Sequence, residues 1–133
     1  ELVHRFWAEN FACLRIAGSG SSKYPSPDIL VGNKLRRFAI ECKITKEEKK
    51  YFDKKDIEAL RKFADVFGAE PWVAVRFKGY DWHFISLADL VETNKSFFID
   101  IVRDWHPFFS ELFGRLLWYK SKAVGFRVGF RKN

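Results

Sequence analysis

The chain has few of the residues that staple or chelate a small fold. Its 133 residues include only two cysteines, three scattered histidines and no methionine. Two cysteines do not make the framework of a disulfide-rich secreted domain, and no cysteine or histidine cluster has zinc-site spacing. We therefore expect Cys13 and Cys42 to be apolar, buried thiols in a protein of the reducing cytoplasm.

Long apolar runs are also absent. The longest are only a few residues, far short of the roughly 20 that a membrane-spanning helix needs, so no membrane segment is predicted and no signal peptide is evident. The apolar residues, 47% of the chain, are unusually aromatic, with fifteen Phe and five Trp. The length predicts one domain, and the excess of apolar side chains predicts a subunit interface.

Charge is unevenly distributed. The net charge is +7, and residues 101–133 hold seven lysines and arginines against two acidic residues. A basic surface favours a polyanionic partner, most commonly nucleic acid, but it serves solubility equally well. Charge alone does not decide between these interpretations.

The segment 27–43, PDILVGNKLRRFAIECK, carries the most specific chemistry. Two short apolar runs separated by a Gly-Asn turn predict a β-hairpin. Alternation along the second strand places Glu41 and Lys43 on one face and Cys42 on the other, while the hairpin brings Asp28 close to them. Two carboxylates beside an ammonium group suit metal-assisted phosphodiester hydrolysis, with Mg²⁺ held by the carboxylates.

The spacing of these residues is PD-x(12)-E-C-K, which resembles the PD-(D/E)xK nuclease motif. A lone acid, or an E-x-K in a strand, is usually only a solvated polar face. The Pro-Asp pair at the mouth of the first strand favours the nuclease interpretation, although it does not say which nuclease.

The remaining pattern predicts the order α-β-β-β-α-β-β, hence an α/β fold with a central mixed sheet flanked by helices. The predicted elements are a helix over 1–10, a strand over 11–17, the hairpin, a helix from Asp53 to a stop at Gly68, and strands over 72–77 and 82–87. Residues 90–100 read as an extended edge segment. An apolar stripe from Pro107 through Leu116 and Leu117 predicts a further helix, which packs on the core or against a second copy.

Two polar stretches are candidate DNA contacts. The Gly-, Ser- and Pro-rich residues 18–27 form a loop that either closes over a phosphate or is a plain linker. The charged run 46–55 is either solvated surface or a basic arm along a phosphate backbone. The candidate DNA-binding residues in these stretches are Ser21, Ser22, Lys23, Lys46, Lys49, Lys50, Lys54 and Lys55.

Residues 1–104 resemble the archaeal-type Holliday junction resolvases, the Hjc/Hje family. The matching segments include ELVHRFW, AGSG, PDILVGN, AIECK, KFADVFGA and VAVRFKGYDWHFI, in the order that the family has them. The resemblance implies a restriction-endonuclease-like core and a homodimer. It also implies an endonuclease that needs Mg²⁺, or Mn²⁺ as a substitute, and resolves four-way DNA junctions by paired symmetric nicks.

The resemblance also implies roles for single residues. Asp28 and Glu41 would be the metal ligands, joined by the backbone carbonyl of Cys42, and Lys43 would orient the attacking water. Ser19 matches a loop serine that the family uses in catalysis. Arg15 matches a basic residue associated with activity and would contact phosphate.

The sequence departs from the family in two places. Family members carry a metal-site Glu followed by Arg on the first helix, and Glu1 stands two positions too late, roughly 200° round the helix. We expect either that this metal-site Glu lies upstream of Glu1 or that the metal site is impaired. The basic residues 105–133, predicted to be a helical tail of the single domain 1–133, match nothing in the family.

Three other functions therefore stay open. The chain could be a PD-(D/E)xK nuclease that cuts linear duplex DNA, or a non-cutting junction-binding domain with an incomplete metal site. A protein-interaction module would be favoured only if nucleic acid failed to bind at low salt.

Overall fold

The computed structural model describes residues 1–18, 23–100, 116–121 and 125–130. Most of the described chain lies in short strands and two α-helices. In chain order the elements are α1 (Leu2–Ala8), β1 (Ala12–Arg15), β2 (Ile29–Gly32), β3 (Arg37–Thr45), β4 (Lys49–Asp53), α2 (Lys54–Phe67), β5 (Glu70–Phe77), β6 (Trp82–Ser86), a 3₁₀ turn (Leu87–Asp89), β7 (Val91–Glu92), β8 (Ser96–Asp100), β9 (Leu116–Ser121) and β10 (Gly125–Phe130).

A five-stranded mixed sheet organises the fold, with strand order β1-β2-β3-β5-β6. The β3–β5 pair is parallel and the other three pairs are antiparallel. Parallel neighbours need a long crossover, and here β4 and α2 supply it between β3 and β5. The predicted central mixed sheet with flanking helices is confirmed.

The two helices cover opposite faces of this sheet. Leu2 and Phe6 of α1 pack into one apolar cluster, which includes Phe38, Trp72 and Phe84 of the sheet. The other cluster joins α2 to the second face, and its buried helix residues are Ile57, Leu60 and Ala64. Because both faces are covered, β5 carries a nearly continuous apolar run and β3 carries a shorter one, over residues 38–40.

Helix α2 ends where the sequence predicts. Gly68 follows its last residue with φ of 85°, in the left-handed region, and its N–H donates to Ala64 O at 2.9 Å. Asp53 stands at the N-cap position as expected, but its side chain makes no capping hydrogen bond. Neither helix in the part of the chain that the structure describes is long and apolar enough to cross a membrane.

A second, three-stranded sheet is the main feature that the sequence pattern did not predict. The charged run contains strand β4, which pairs with β8 in the order β4-β8-β7. Phe52 on β4 and Phe97 on β8 are buried against α2, while the rings of Tyr51 and Phe98 are in tilted contact on the outer face, with centroids 5.6 Å apart. Residues 90–100 were predicted to be an extended edge segment. The prediction of an edge position is wrong for β8, which is the central strand of this sheet. In β4 and β8 the alternation of buried and exposed side chains is hard to see in the sequence, because charged residues flank both strands.

The predicted helix beyond Pro107 is also partly wrong. Leu116–Ser121 and Gly125–Phe130 form an antiparallel hairpin in which Leu116 pairs with Phe130. Leu116 and Leu117 thus lie on a strand, because pairing with a second aromatic-rich segment replaces the helical contacts. The rest of that stripe falls on residues 101–115, outside the described residues.

The left-handed Gly68 allows a direct test of the α2 terminus. Replacing it with Ala should lower the free energy of unfolding by about 1 kcal/mol, because a Cβ disfavours positive φ. A Cβ at this position would meet no atom within 4 Å, so the loss is conformational and not steric. Chemical denaturation measures it, and Gly68→Asn, which tolerates this region better, should lose less. Equal stability of Gly68→Ala and the parent would contradict the assignment.

Candidate active site

The β2–β3 hairpin assembles the candidate site as the motif predicts. Ile29 pairs with Ile40, so the residue before β2 lies beside the residue after Ile40 on β3. The turn between the strands is longer than a two-residue turn: Asn33 N–H donates to Arg36 O at 2.9 Å, and its side chain caps Leu35 and Arg36. The hairpin thereby sets the register that places Asp28 beside Glu41.

Asp28 is fixed by three hydrogen bonds. Its backbone N–H donates to Ile40 O at 3.1 Å, and its carbonyl accepts from Ile16 N–H at 2.8 Å. Its Oδ2 accepts from the backbone N–H of Cys42 at 2.8 Å. The carboxylate is therefore tied to the backbone of β3 next to Glu41, and it cannot swing away without breaking that bond.

Glu41 and Lys43 share one face of β3, as predicted. Both line an open pocket of about 520 Å³ together with Asp28. Cys42 points to the opposite side, where it packs against the α1 core. The pKa of Cys42 is raised to about 12, mainly because the thiol is shielded from solvent. Both thiols are free and Cys13 is buried, as the sequence predicts, but Cys42 is only partly buried.

The two carboxylates are electrostatically coupled. Burial, then the hydrogen bond to Asp28 and the negative charge of Asp28, raise the pKa of Glu41 from 4.5 to about 8. Lys43 acts in the opposite direction, and Asp56 adds a further small increase. At neutral pH Glu41 of the metal-free protein therefore holds a proton, which a cation would displace.

The residues of this pocket suit a hard divalent cation. Carboxylate oxygens are the preferred ligands of Mg²⁺, and two are held here at adjacent positions. The pocket wall also contains the Ser26 hydroxyl, a buried oxygen with no hydrogen-bond partner. However, among the described residues no group of three or more His, Cys, Asp or Glu side chains is arranged to hold a metal. The backbone carbonyl of Cys42 stays a predicted ligand.

The predicted DNA-binding residues lie in different places. Lys23 and Lys55 line the same pocket as Lys43. Arg15 lines a second cleft, on the α1 side of β3, which shares Asp28 with the first. Ser19, Ser21 and Ser22 lie outside the described residues.

The remaining predicted lysines are not in the pocket. Lys54 forms an ion pair with Glu92 at 3.3 Å. Lys49 lies over the Phe98 ring, 4.4 Å from its centroid, and Lys46 is exposed after β3. Lys50 is half-buried on β4. Of the basic arm, only Lys55 is thus adjacent to the carboxylates.

Sequence reasoning missed two polar residues of the pocket, Ser26 and Asp56. The apolar stripe of α2 predicts that Asp56 lies in the first turn of the helix. Which way its side chain faces depends on how α2 packs on the sheet, and the sequence does not show this. Ser26 is only two residues from Asp28, and nothing in its local sequence distinguishes it from the other loop serines.

Comparison with known proteins now bears on these predictions. A protein-family model described as archaeal Holliday junction resolvase (Hjc) matches residues 1–109. The chain belongs to this family. The resemblance seen in the sequence is confirmed, and the match includes α1, the hairpin, α2 and the β5–β6 pair.

Individual relatives agree. The chain is 41% identical over 100 residues to the crossover junction endodeoxyribonuclease Hjc of Archaeoglobus fulgidus, over 75% of this chain and 74% of that protein. It is 35% identical over 100 residues to Hjc of Methanocaldococcus jannaschii, over 75% of this chain and 71% of that one.

A solved structure gives the same result for the fold. The 1.6 Å structure of Archaeoglobus fulgidus Hjc, described as a Holliday junction resolvase from an archaeal hyperthermophile, superposes with a TM-score of 0.72 at 41% identity. The match covers 74% of this chain and 80% of that chain. The restriction-endonuclease-like fold of the family is therefore the fold of this chain.

The structure also locates Glu1, which departs from the family pattern. Its carboxylate accepts from Trp82 Nε1 at 3.3 Å and lies 3.4 Å from Arg76 Nη1. It does not line the pocket that contains Glu41 and Lys43. Glu1 is thus engaged with β5 and β6, and it lines the second cleft, which Asp28 and Arg15 also line.

The raised pKa of Glu41 predicts a pH dependence of stability. The folded metal-free protein binds this proton more tightly than the unfolded chain, so the Glu41 contribution is lost as pH rises from about 4.5 to about 8. Glu41→Gln cannot lose the proton and mimics the protonated form. Thermal unfolding in a chelating buffer should show the parent losing stability relative to Glu41→Gln between pH 5 and pH 8. Parallel curves for the two proteins would show that the carboxylates are not coupled.

Proposed function

We propose that this chain is a Mg²⁺-dependent endonuclease that resolves four-way DNA junctions by paired symmetric nicks and acts as a homodimer. The observation that carries the proposal is the Asp28–Glu41 carboxylate pair, fixed by a backbone hydrogen bond and accompanied by Lys43 in one open pocket. Family membership supports the substrate class, because the relatives are named crossover junction endodeoxyribonucleases.

Each residue of the pocket has a part in this proposal. Asp28 and Glu41 hold the cation through their carboxylates, and the Cys42 carbonyl supplies a further oxygen. When bound, Mg²⁺, or Mn²⁺ in its place, polarises the phosphoryl group and lowers the pKa of water. Lys43 orients the attacking water and stabilises the negative charge that develops on the phosphoryl oxygens. Water adds to phosphorus as the bond to the 3′ oxygen breaks, which leaves a 5′-phosphate and a 3′-hydroxyl.

The basic residues around Asp28 support binding of the DNA backbone. Lys23 and Lys55 line one side of β3, and Arg15 lies in the cleft on the other side. These groups recognise phosphates and carry no sequence information, so selectivity depends on the shape of the branch point. We include Ser19 in the phosphate-contacting loop because of the family pattern, and Ser21 and Ser22 because of the Gly-, Ser- and Pro-rich composition of that loop. Binding should weaken steeply as salt rises.

An exposed apolar surface supports the dimer. Phe67, half-exposed at the end of α2, lines two adjoining apolar grooves. We call this area the Phe67 surface, and its other large apolar residues include Trp7, Leu14, Tyr24, Pro25, Phe63 and Val66. Exposed apolar surface of this kind is a candidate site for contact with a second copy of the chain. A two-fold dimer also presents two equivalent sites to a junction that has pseudo-two-fold symmetry.

One observation favours a second function. The described residues contain no three-acid group for a metal, which is what a non-cutting junction-binding domain would show. Such a domain would keep the basic clefts and the Phe67 surface but lack turnover. Nothing in the structure favours cutting of linear duplex DNA over the junction.

The central prediction is cutting of a junction and not of the matching duplex. In Mg²⁺ the chain should introduce paired nicks near the branch point of a labelled four-way junction, resolved on a denaturing gel. Asp28→Asn and Lys43→Ala should each reduce the rate by at least about a hundredfold. The Asn side chain still accepts from Cys42 N–H, so the loss reports chemistry and not collapse of the hairpin. Glu47→Gln, exposed beyond β3, is the matched control and should cut normally.

The possible outcomes separate the candidate functions. Nicking of junction and duplex at equal rates would contradict junction selectivity. Tight junction binding without nicks by the parent, in Mg²⁺ and in Mn²⁺, would leave the non-cutting domain as the function.

The dimer has its own test. Phe67→Asp places a charge in the centre of the Phe67 surface and should convert the protein to a monomer in sedimentation velocity. Tyr51→Asp is the control, because Tyr51 is also an exposed aromatic residue, at 55%, but lies outside that surface and outside both clefts. The Phe67→Asp protein should make single, uncoupled nicks in the junction. A parent protein that sediments as a monomer at working concentration would contradict the two-site mechanism.

A further inference from the structure

The first turn of α2 brings a third carboxylate to the candidate site. Asp56 lines the same pocket as Asp28 and Glu41, and so do Ala59 and Leu60 one turn further along the helix. Residues three and four apart share a helix face, so this face of α2 is directed at the pocket. The fold thus closes the pocket with an acidic residue that the nuclease motif does not include.

Asp56 is an exposed acid in the first turn of α2, where a negative charge is favourable, but no described side chain holds its carboxylate in place. Within the described part of the chain, no hydrogen bond or ion pair involves its carboxylate. Glu58, two residues further on the same helix, behaves as an ordinary surface acid and binds Arg61 at 2.8 Å. A further acid beside the Asp28–Glu41 pair is unfavourable in the protein alone, and such local conflicts are typical of functional sites.

Ser26 gives an independent indication that this pocket is built for an occupant. Its Oγ is buried in the pocket wall and has no hydrogen-bond partner. A buried hydroxyl without a partner is costly, and in native proteins such a group usually meets an ordered water or a ligand. Ser26 and Asp56 come from different elements, the loop before β2 and the start of α2.

We propose that Asp56 is a positioning residue of the nuclease site, which accepts hydrogen bonds from the hydration water of a divalent cation held by Asp28 and Glu41. It does not act as a direct ligand, because the described acids do not form a three-membered metal-binding group. The inference rests on the proposed function, since it assumes a cation at the carboxylate pair.

Metal binding by the free protein tests this role without catalysis. Mn²⁺ is titrated into the full chain at fixed pH and ionic strength, and free Mn²⁺ is counted by electron paramagnetic resonance. Asp56→Asn should raise the Mn²⁺ dissociation constant about tenfold, the size of effect that loss of an outer-shell partner has at metal sites. Glu58→Gln removes the same charge from the same helix and should bind Mn²⁺ as the parent does.

Junction nicking supplies the second readout. For Asp56→Asn, the Mg²⁺ concentration at half-maximal rate should rise about tenfold, while the rate at saturating Mg²⁺ approaches that of the parent. Junction affinity in a chelating buffer should equal that of Glu58→Gln, since Asp56 contacts the cation's water and not the DNA.

The outcomes are distinct. If Asp56→Asn and Glu58→Gln bind Mn²⁺ alike while the parent binds and cuts, Asp56 has no such role and the proposed function stands. If Asp56→Asn differs from the parent only in melting temperature, Asp56 merely stabilises the helix N-terminus and the inference fails. If the parent itself binds no Mn²⁺, the proposed metal site and this inference fail together.

Discussion

The hydrogen bond from Cys42 N–H to Asp28 Oδ2 is the interaction on which the candidate site depends. It ties the acid before β2 to the backbone of β3, beside Glu41, where two carboxylates would otherwise repel each other and separate. The metal-free protein responds by raising the pKa of Glu41 to about 8, so that a proton takes the place of a cation. The two neighbouring carboxylates thus destabilise the metal-free protein locally, and a bound divalent cation would stabilise it again.

The rest of the fold serves to hold this hairpin. The parallel β3–β5 pair puts β3 in the middle of the sheet, and the α1 and α2 clusters bury its two faces. Because the crossover between β3 and β5 contains α2, the start of that helix closes the pocket next to Glu41 and Lys43. The same helix ends at Phe67, on the surface that we propose for the dimer. One element therefore connects the site to the proposed subunit contact.

The sequence predicted the features that depend on turn residues and on the periodicity of neighbouring side chains. The Gly-Asn hairpin, the E-C-K alternation and the Gly68 stop all follow from turn chemistry and periodicity, and they are confirmed. Strand β4 was missed because its alternation of inward Phe52 and outward Tyr51 is short and flanked by lysines, which are typical of solvated surface. Leu116 and Leu117 were assigned to a helix because their pairing with β10 is not visible in their own spacing. Likewise Asp56 and Ser26 reach the pocket through tertiary packing, which no spacing rule reveals.

The measurement that tests the account most directly is the location of a bound cation. A crystal of the chain grown with Mn²⁺ can be measured at a wavelength where manganese scatters anomalously. The account predicts one strong peak between the carboxylates of Asp28 and Glu41, lost in crystals of Glu41→Gln. A well-ordered pocket without that peak, or a peak held by other residues, would contradict the claim that this carboxylate pair is a metal site.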